Sequence, residues 1–89
     1  MRAVITVIGK DMVGILARVS SICAENNVNV VEVTQSILQD LFAMIMMVEI
    51  TDSAIPFADF SQQLKELGEK NNLQIHVMHE DIFNSMHRI

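Results

Sequence analysis

In the stretch GKDMVGIL, Gly9 to Leu16, a lysine and an aspartate are held between two glycines. Such a grouping could meet an anion, an ammonium group or neither. The separation of Gly9 and Gly14 equals the glycine spacing of the phosphate loop GxxxxGK[ST], but Ile15 and Leu16 stand where that loop needs its lysine and its magnesium-binding hydroxyl. Both read as core residues, and the dinucleotide pattern GxGxxG is absent, so a nucleotide site is disfavoured. Asp11 keeps two readings, a helix cap that accepts hydrogen bonds from free backbone N–H groups or an acceptor for an ammonium. Gly14 falls in the first turn of the expected helix, where glycine costs about 1 kcal/mol relative to alanine. It is there either as part of the loop's own structure or because another chain or a ligand approaches the backbone closely. Lys10 reads as a solvated side chain.

No other group of residues adds a chemistry. His76 and His79 are three apart in a strand-like run, so they project to opposite faces and cannot chelate one ion together. His87 has no carboxylate at ligand spacing on an adjacent turn, and Ser20, Ser21 and Cys23 have no histidine that the sequence pairs with them as a base. Cys23 has no partner for an internal disulfide and no CxxC companion, and among apolar helix neighbours it reads as core filler. The sequence names no catalytic residue, metal or cofactor.

The elements that would carry the Gly9–Leu16 loop are legible on both sides of it. RAVITVI, Arg2 to Ile8, is β-branched and apolar on both alternating faces, as in a strand covered on two sides. Ile15, Leu16, Val19, Ile22 and Cys23 then fall on one helical face, with Arg18, Ser21 and Glu25 outside it. A second strand follows, with Val31, Val33 and Ile37 on one face and Glu32, Thr34 and Ser36 on the other. Gln39 and Asp40 leave room only for a hairpin into a third strand, LFAMIMMVEI, Leu41 to Ile50. Pro56 suits a helix start, and Phe57, Phe60, Leu64 and Leu67 repeat at helical steps behind it. Leu73, Ile75 and Val77 make a fourth strand.

The order β-α-β-β-α-β has an internal echo, since ENNVNV at Glu25–Val30 matches KNNLQI at Lys70–Ile75, 45 residues on. Each Asn-Asn follows a helix, and asparagine tolerates the left-handed conformation that ends helices. The predicted fold is an α+β, ferredoxin-like βαββαβ sandwich: a four-stranded antiparallel sheet with two helices on one face. The third strand, however, offers Phe42, Met44, Met46 and Val48 to one side and Leu41, Ile45 and Met47 to the other, so the second face or edge needs its own cover. Dimerisation would supply it. So would the tail, where Ile82, Phe83, Met86 and Ile89 form an apolar stripe behind a possible Asp81 cap, in a short C-terminal helix.

The 89 residues fit one domain, which at this size buries only about 60–65% of the surface its unfolded chain exposes, another reason to expect self-association. Six basic residues stand against eleven acidic ones, giving a net charge of −5 with no clustered basic footprint, so nucleic acid is excluded as the expected partner. The apolar runs are too short to span a membrane and no cleaved signal is evident, so the expectation is a cytoplasmic protein without a membrane partner.

With its βαββαβ context, the succession of VIGKD, MVGILARVSSICAENNVNV and VEVTQSI resembles the ACT domain, the small regulatory module of amino-acid metabolism. The resemblance covers about residues 1–80, with 81–89 as a helical extension, as in the stand-alone ACT-domain proteins of bacteria and archaea. It implies a homodimer that holds a small effector, an amino acid in most of the family, at the subunit interface near the first loop and helix. Asp11, Gly14, Ile15 and Leu16 match the family's loop; Val13 replaces its common proline and Met12 a frequently polar residue. Asn29 matches the asparagine that opens the second strand and reaches a ligand lodged against the neighbouring subunit. The implied ligand-binding set is thus Asp11, Met12, Val13, Gly14, Ile15, Leu16 and Asn29. In this arrangement the N–H groups of residues 12–15 and the positive end of the helix would hold an α-carboxylate, with Asp11 on the ammonium. The implied function is a regulatory amino-acid-binding module, without enzymatic activity, that acts on a separate protein partner. The alternative is a ligand-free interaction module that uses the same dimer surface.

Overall fold

The computed structural model describes residues 1–10 and 14–86. The strands are β1 (Arg2–Gly9), β2 (Asn29–Leu38), β3 (Leu41–Glu49) and β4 (Gln74–His79), and the helices are α1 (Ile15–Glu25), α2 (Phe57–Lys70) and α3 (Glu80–Met86). They form one antiparallel sheet in the order β2-β3-β1-β4, with β1 paired to β3 on one side and β4 on the other. This is the βαββαβ sandwich expected from the periodicities, with a third helix after β4.

The register assigns each side chain to a face. Ala3, Ile5 and Val7 stand across from Val48, Met46 and Met44 and share one buried core with Ile15, Val19 and Cys23 of α1 and Phe60 and Leu64 of α2. Both crossover helices therefore cover the same face. On the other face Leu41 and Ile45 remain exposed, while Val4 is only 1% exposed although it points away from α1 and α2. Its cover is α3, which packs on β1 and β4, so the tail shields part of its own sheet. Helix α3 begins at Glu80 and places Asp81 inside its first turn, and Ile82 and Met86 stay exposed, so the expected apolar stripe is only partly used. Ile89 and His87 lie outside the described residues.

Strand β2 carries a bulge between Val30 and Glu32, which inserts Val31 as an extra residue, and Val33 then regains the helix-facing side opposite Met46. Residues 31–37 are all exposed, because β2 is an edge strand. The Gln39-Asp40 connection is a two-residue hairpin without glycine, and Gln39 adopts a left-handed φ of 56°.

The 45-residue echo extends into the hydrogen bonding. The Asn26 amide donates to the Ile22 carbonyl at 2.9 Å and to Gln63 of α2, while the Asn71 amide donates to the Leu67 carbonyl at 2.8 Å and its oxygen accepts from Arg18 of α1. Arg18 and Gln63 are themselves 45 residues apart, so each helix-ending asparagine caps its own helix and ties it to the other. Val28 N–H to Cys23 and Leu73 N–H to Gly68, both 2.8 Å, repeat the same turn. Asn27 and Asn72 hold the left-handed residue of each turn, with φ of 59° and 58°. Gly68 is needed for packing, because a Cβ there would lie 2.8 Å from the Leu73 carbonyl oxygen.

Candidate functional site

Strand β1 delivers the Gly9–Leu16 segment to one end of the sheet, where β3 begins, β4 begins and α2 ends. A Cβ on Gly9 would coincide with a Leu73 methyl, so Gly9 lets the turn before β4 close over the strand end. Gly14 is the N-cap of α1, with φ 74° and no side-chain cap hydrogen bond, and its carbonyl accepts the Arg18 N–H at 3.1 Å. Among the described residues a Cβ at Gly14 would meet nothing within 4 Å, so it is the left-handed backbone that demands glycine there.

These facts move the expected helix start. Gly14 precedes the first turn instead of sitting within it, because a left-handed residue cannot continue a right-handed helix. Among the described residues, the N–H groups at this helix start without an intrahelical acceptor are therefore those of residues 14–17. Ile15 is buried, so it offers only its backbone at this helix start, whereas Leu16 is 39% exposed and does not join the core as its spacing implied. Asp11, Met12 and Val13 lie outside the described residues.

Asn29 is not brought to this loop within one chain. It stands in the row Asn29–Glu49–Arg2, at the far end of the sheet from the row of Gly9, Phe42 and Ile37. Seven strand steps separate the two rows along β1, about 23 Å at 3.3 Å per residue.

The structure adds residues that the sequence reading had set aside. A cavity of about 340 Å³ lies beside the loop, between apolar Ile8 and Leu41 and the polar side chains of Lys10, Asn72 and Gln74, with Gly9 and Asn71 completing it. The echoed Asn-Asn pair marks this place in the sequence, but only the strand order brings it beside Lys10. A second cavity, of about 280 Å³, occupies the opposite end against Ile50, Ile55, Phe57 and Phe60. Its hydroxyls are engaged locally, Thr51 with the Glu49 carboxylate at 3.1 Å and Ser53 with the Ile55 carbonyl at 2.8 Å.

His76 pairs across from Thr6 on the open face, and His79 from Ala3 on the helix face, where its ring lies 6.4 Å from that of Phe57. They do face opposite sides. Among the described residues no three His, Cys, Asp or Glu side chains converge as metal ligands, and no helix is long and apolar enough to cross a membrane. Burial pushes the Cys23 thiol up to about 11, which suits packing and not nucleophilic chemistry.

A family model for the ACT domain matches residues 2–78. The chain belongs to the ACT domain family. Its relatives include a UPF0237 protein of Clostridium perfringens, 52% identical over 89 residues and matched over the full length of both chains. A UPF0237 protein of Methanocaldococcus jannaschii is 47% identical over 88 residues, 99% of this chain and 98% of the relative. Among solved structures, an ACT domain protein from Streptococcus pneumoniae superposes with a TM-score of 0.80 at 34% identity, over 93% of each chain. ACT domains are in general regulatory modules that bind small molecules, and this chain has the length of its stand-alone relatives.

Proposed function

We propose that this ACT domain protein is a homodimeric regulatory module that binds an amino acid at the β1–α1 end and transmits the change to a separate protein partner. The observation that carries the reading is Gly14, a left-handed N-cap at which a Cβ would meet no described atom within 4 Å, at a helix start whose first backbone N–H groups lack intrahelical acceptors. Those groups and the helix dipole suit an α-carboxylate, at about 0.3–2 kcal/mol from the dipole. The ligand-binding residues in this reading are Asp11 on the ammonium, the backbone of Met12, Val13, Gly14 and Ile15, Leu16 at the side, and Asn29 from a second subunit.

The β2 edge favours a second copy. It is ten residues long, exposes Val31, Val33 and Ile37, and carries Glu32 as its one charge, without the lysine or proline that guards most edges. Antiparallel pairing of β2 with its copy exchanges the two ends of the strand. Asn29 of one chain would then lie by the β1–α1 end of the other, which reconciles its distance from Gly14 within a chain with a role at the same ligand. An amino acid has about ten heavy atoms, so micromolar to millimolar affinity is expected.

The unguarded edge equally favours the second reading, a ligand-free assembly module. A thermal-shift panel of the twenty amino acids, followed by calorimetry, separates the two. The regulatory reading expects stabilisation by one or a few amino acids and its loss in Gly14→Val; a dimer that no amino acid stabilises supports the assembly reading. A monomer at micromolar concentration by light scattering would count against both.

A further inference from the structure

The cavity beside Lys10 goes beyond the amino-acid reading and does not depend on it. Its meaning comes from the opposite end of the molecule, where the same turn occurs in a finished state. There the Asn27 amide donates to the carbonyl oxygen of Asp52 at 2.9 Å, and the Ala54 N–H donates to the Asn26 carbonyl at 2.8 Å, so the turn after α1 is sealed against the loop before α2. Asn72 occupies the place of Asn27 with the same left-handed φ, but the residue corresponding to Asp52 is Val7, deep in β1 and paired to both Met44 and Ile75. Among the described residues no carbonyl accepts from the Asn72 amide as Asp52 does from Asn27. Among the described residues no bond replaces the Ala54–Asn26 contact at this end either, and the cavity opens there instead.

The lining states what would fill it. Among the described lining residues Lys10 is the one charged side chain, and none of them is a carboxylate. The Asn71 amide group is committed to Leu67 and Arg18, which leaves the amides of Asn72 and Gln74 with the ammonium of Lys10 as the polar groups, and Ile8 and Leu41 as the apolar ones. We propose that this cavity binds a small aliphatic carboxylate. One carboxylate oxygen accepts from the Asn72 amide as the Asp52 carbonyl does from Asn27, Lys10 supplies the counter-charge, and the alkyl group lies on Ile8 and Leu41. About 340 Å³ is at the small end of ligand sites and matches an acid of a few carbons. An amine would find no anionic partner among the described lining residues.

The test is a two-dimensional NMR titration of the ¹⁵N-labelled protein with isovalerate, with isoamylamine as the cationic control and leucine as the zwitterion. Isovalerate is expected to shift Gly9, Lys10, Gln74 and the Asn72 side-chain amide saturably in the millimolar range, with the amine silent. Lys10→Met and Asn72→Gly should each weaken it at least five-fold; glycine keeps the left-handed turn and removes only the amide, so folding is preserved. Absence of saturable shifts at about 50 mM, equal binding of the amine, or unchanged affinity in both variants overturns the proposal. Leucine reports separately. Shifts at Ile15 and Leu16 that survive Lys10→Met would leave the amino-acid reading standing even if isovalerate fails, and their absence with isovalerate bound would do the reverse.

Discussion

At the end of the sheet where loop 50–56 meets the Asn26-Asn27 turn, backbone and amide groups satisfy one another, whereas at the opposite end a cavity lies between Gly9, Lys10 and the Asn71-Asn72 turn, and α1 starts at Gly14 with no side-chain cap bond among the described residues. The two ends are built from the same repeat. They differ because β3 stops at Glu49, freeing Asp52 and Ala54 to reach the turn, while β1 stays paired with β3 through Gly9. A repeated supersecondary unit thus yields one end closed by its own hydrogen bonds and one where, among the described residues, Asn72 makes no such bond, and the second is where a ligand is expected.

Mutations at equivalent positions break the comparison in order of effect. Leu64 and Val19 are 45 residues apart and both fully buried, so Leu64→Ala should cost about 3 kcal/mol and Val19→Ala about 2 kcal/mol in urea denaturation. A loss well under about 1 kcal/mol at either position would mean that its helix does not contribute to the shared core as described. Gly68→Ala forces a Cβ against the Leu73 carbonyl and should cost about 2 kcal/mol, while Gly14→Ala meets no described atom within 4 Å and should cost only about 1 kcal/mol for its backbone conformation. Asn26→Ala removes bonds to Ile22 and Gln63 from a buried side chain and should cost about 1–2 kcal/mol; Asn71→Ala, at a half-buried site, should cost less. The smallest effect is chemical: with its thiol at about 11, Cys23 should resist iodoacetamide at pH 8 in the native state and react once urea unfolds the chain.

The element order and the helix faces were legible because they follow from periodicities of two and 3.6, and the buried sets Ala3, Ile5, Val7 and Phe60, Leu64 obey them. The α1 boundary was displaced because Gly14 takes a conformation that no spacing encodes. Leu16 left the core for the same reason, since a helix that begins one residue after Gly14 keeps it near its exposed start. Lys10 and Asn72 could not be joined by reading along the chain, because 62 positions of sequence separate residues that only the β1–β4 pairing makes neighbours. Asn29 was linked to Gly14 by resemblance alone, and the register places them at opposite ends of one chain.

The central claim is that ligand binding belongs to the open end. It is tested most directly by mapping, in ¹⁵N spectra, the amino acid that best stabilises the protein. The account predicts saturable shifts at residues 14–18 and at Asn29, with the amides of Asn27 and residues 50–57 unmoved apart from those beside Asn29. Shifts centred on Asn27 and residues 50–57, or no saturable shift with any of the twenty amino acids, would contradict it.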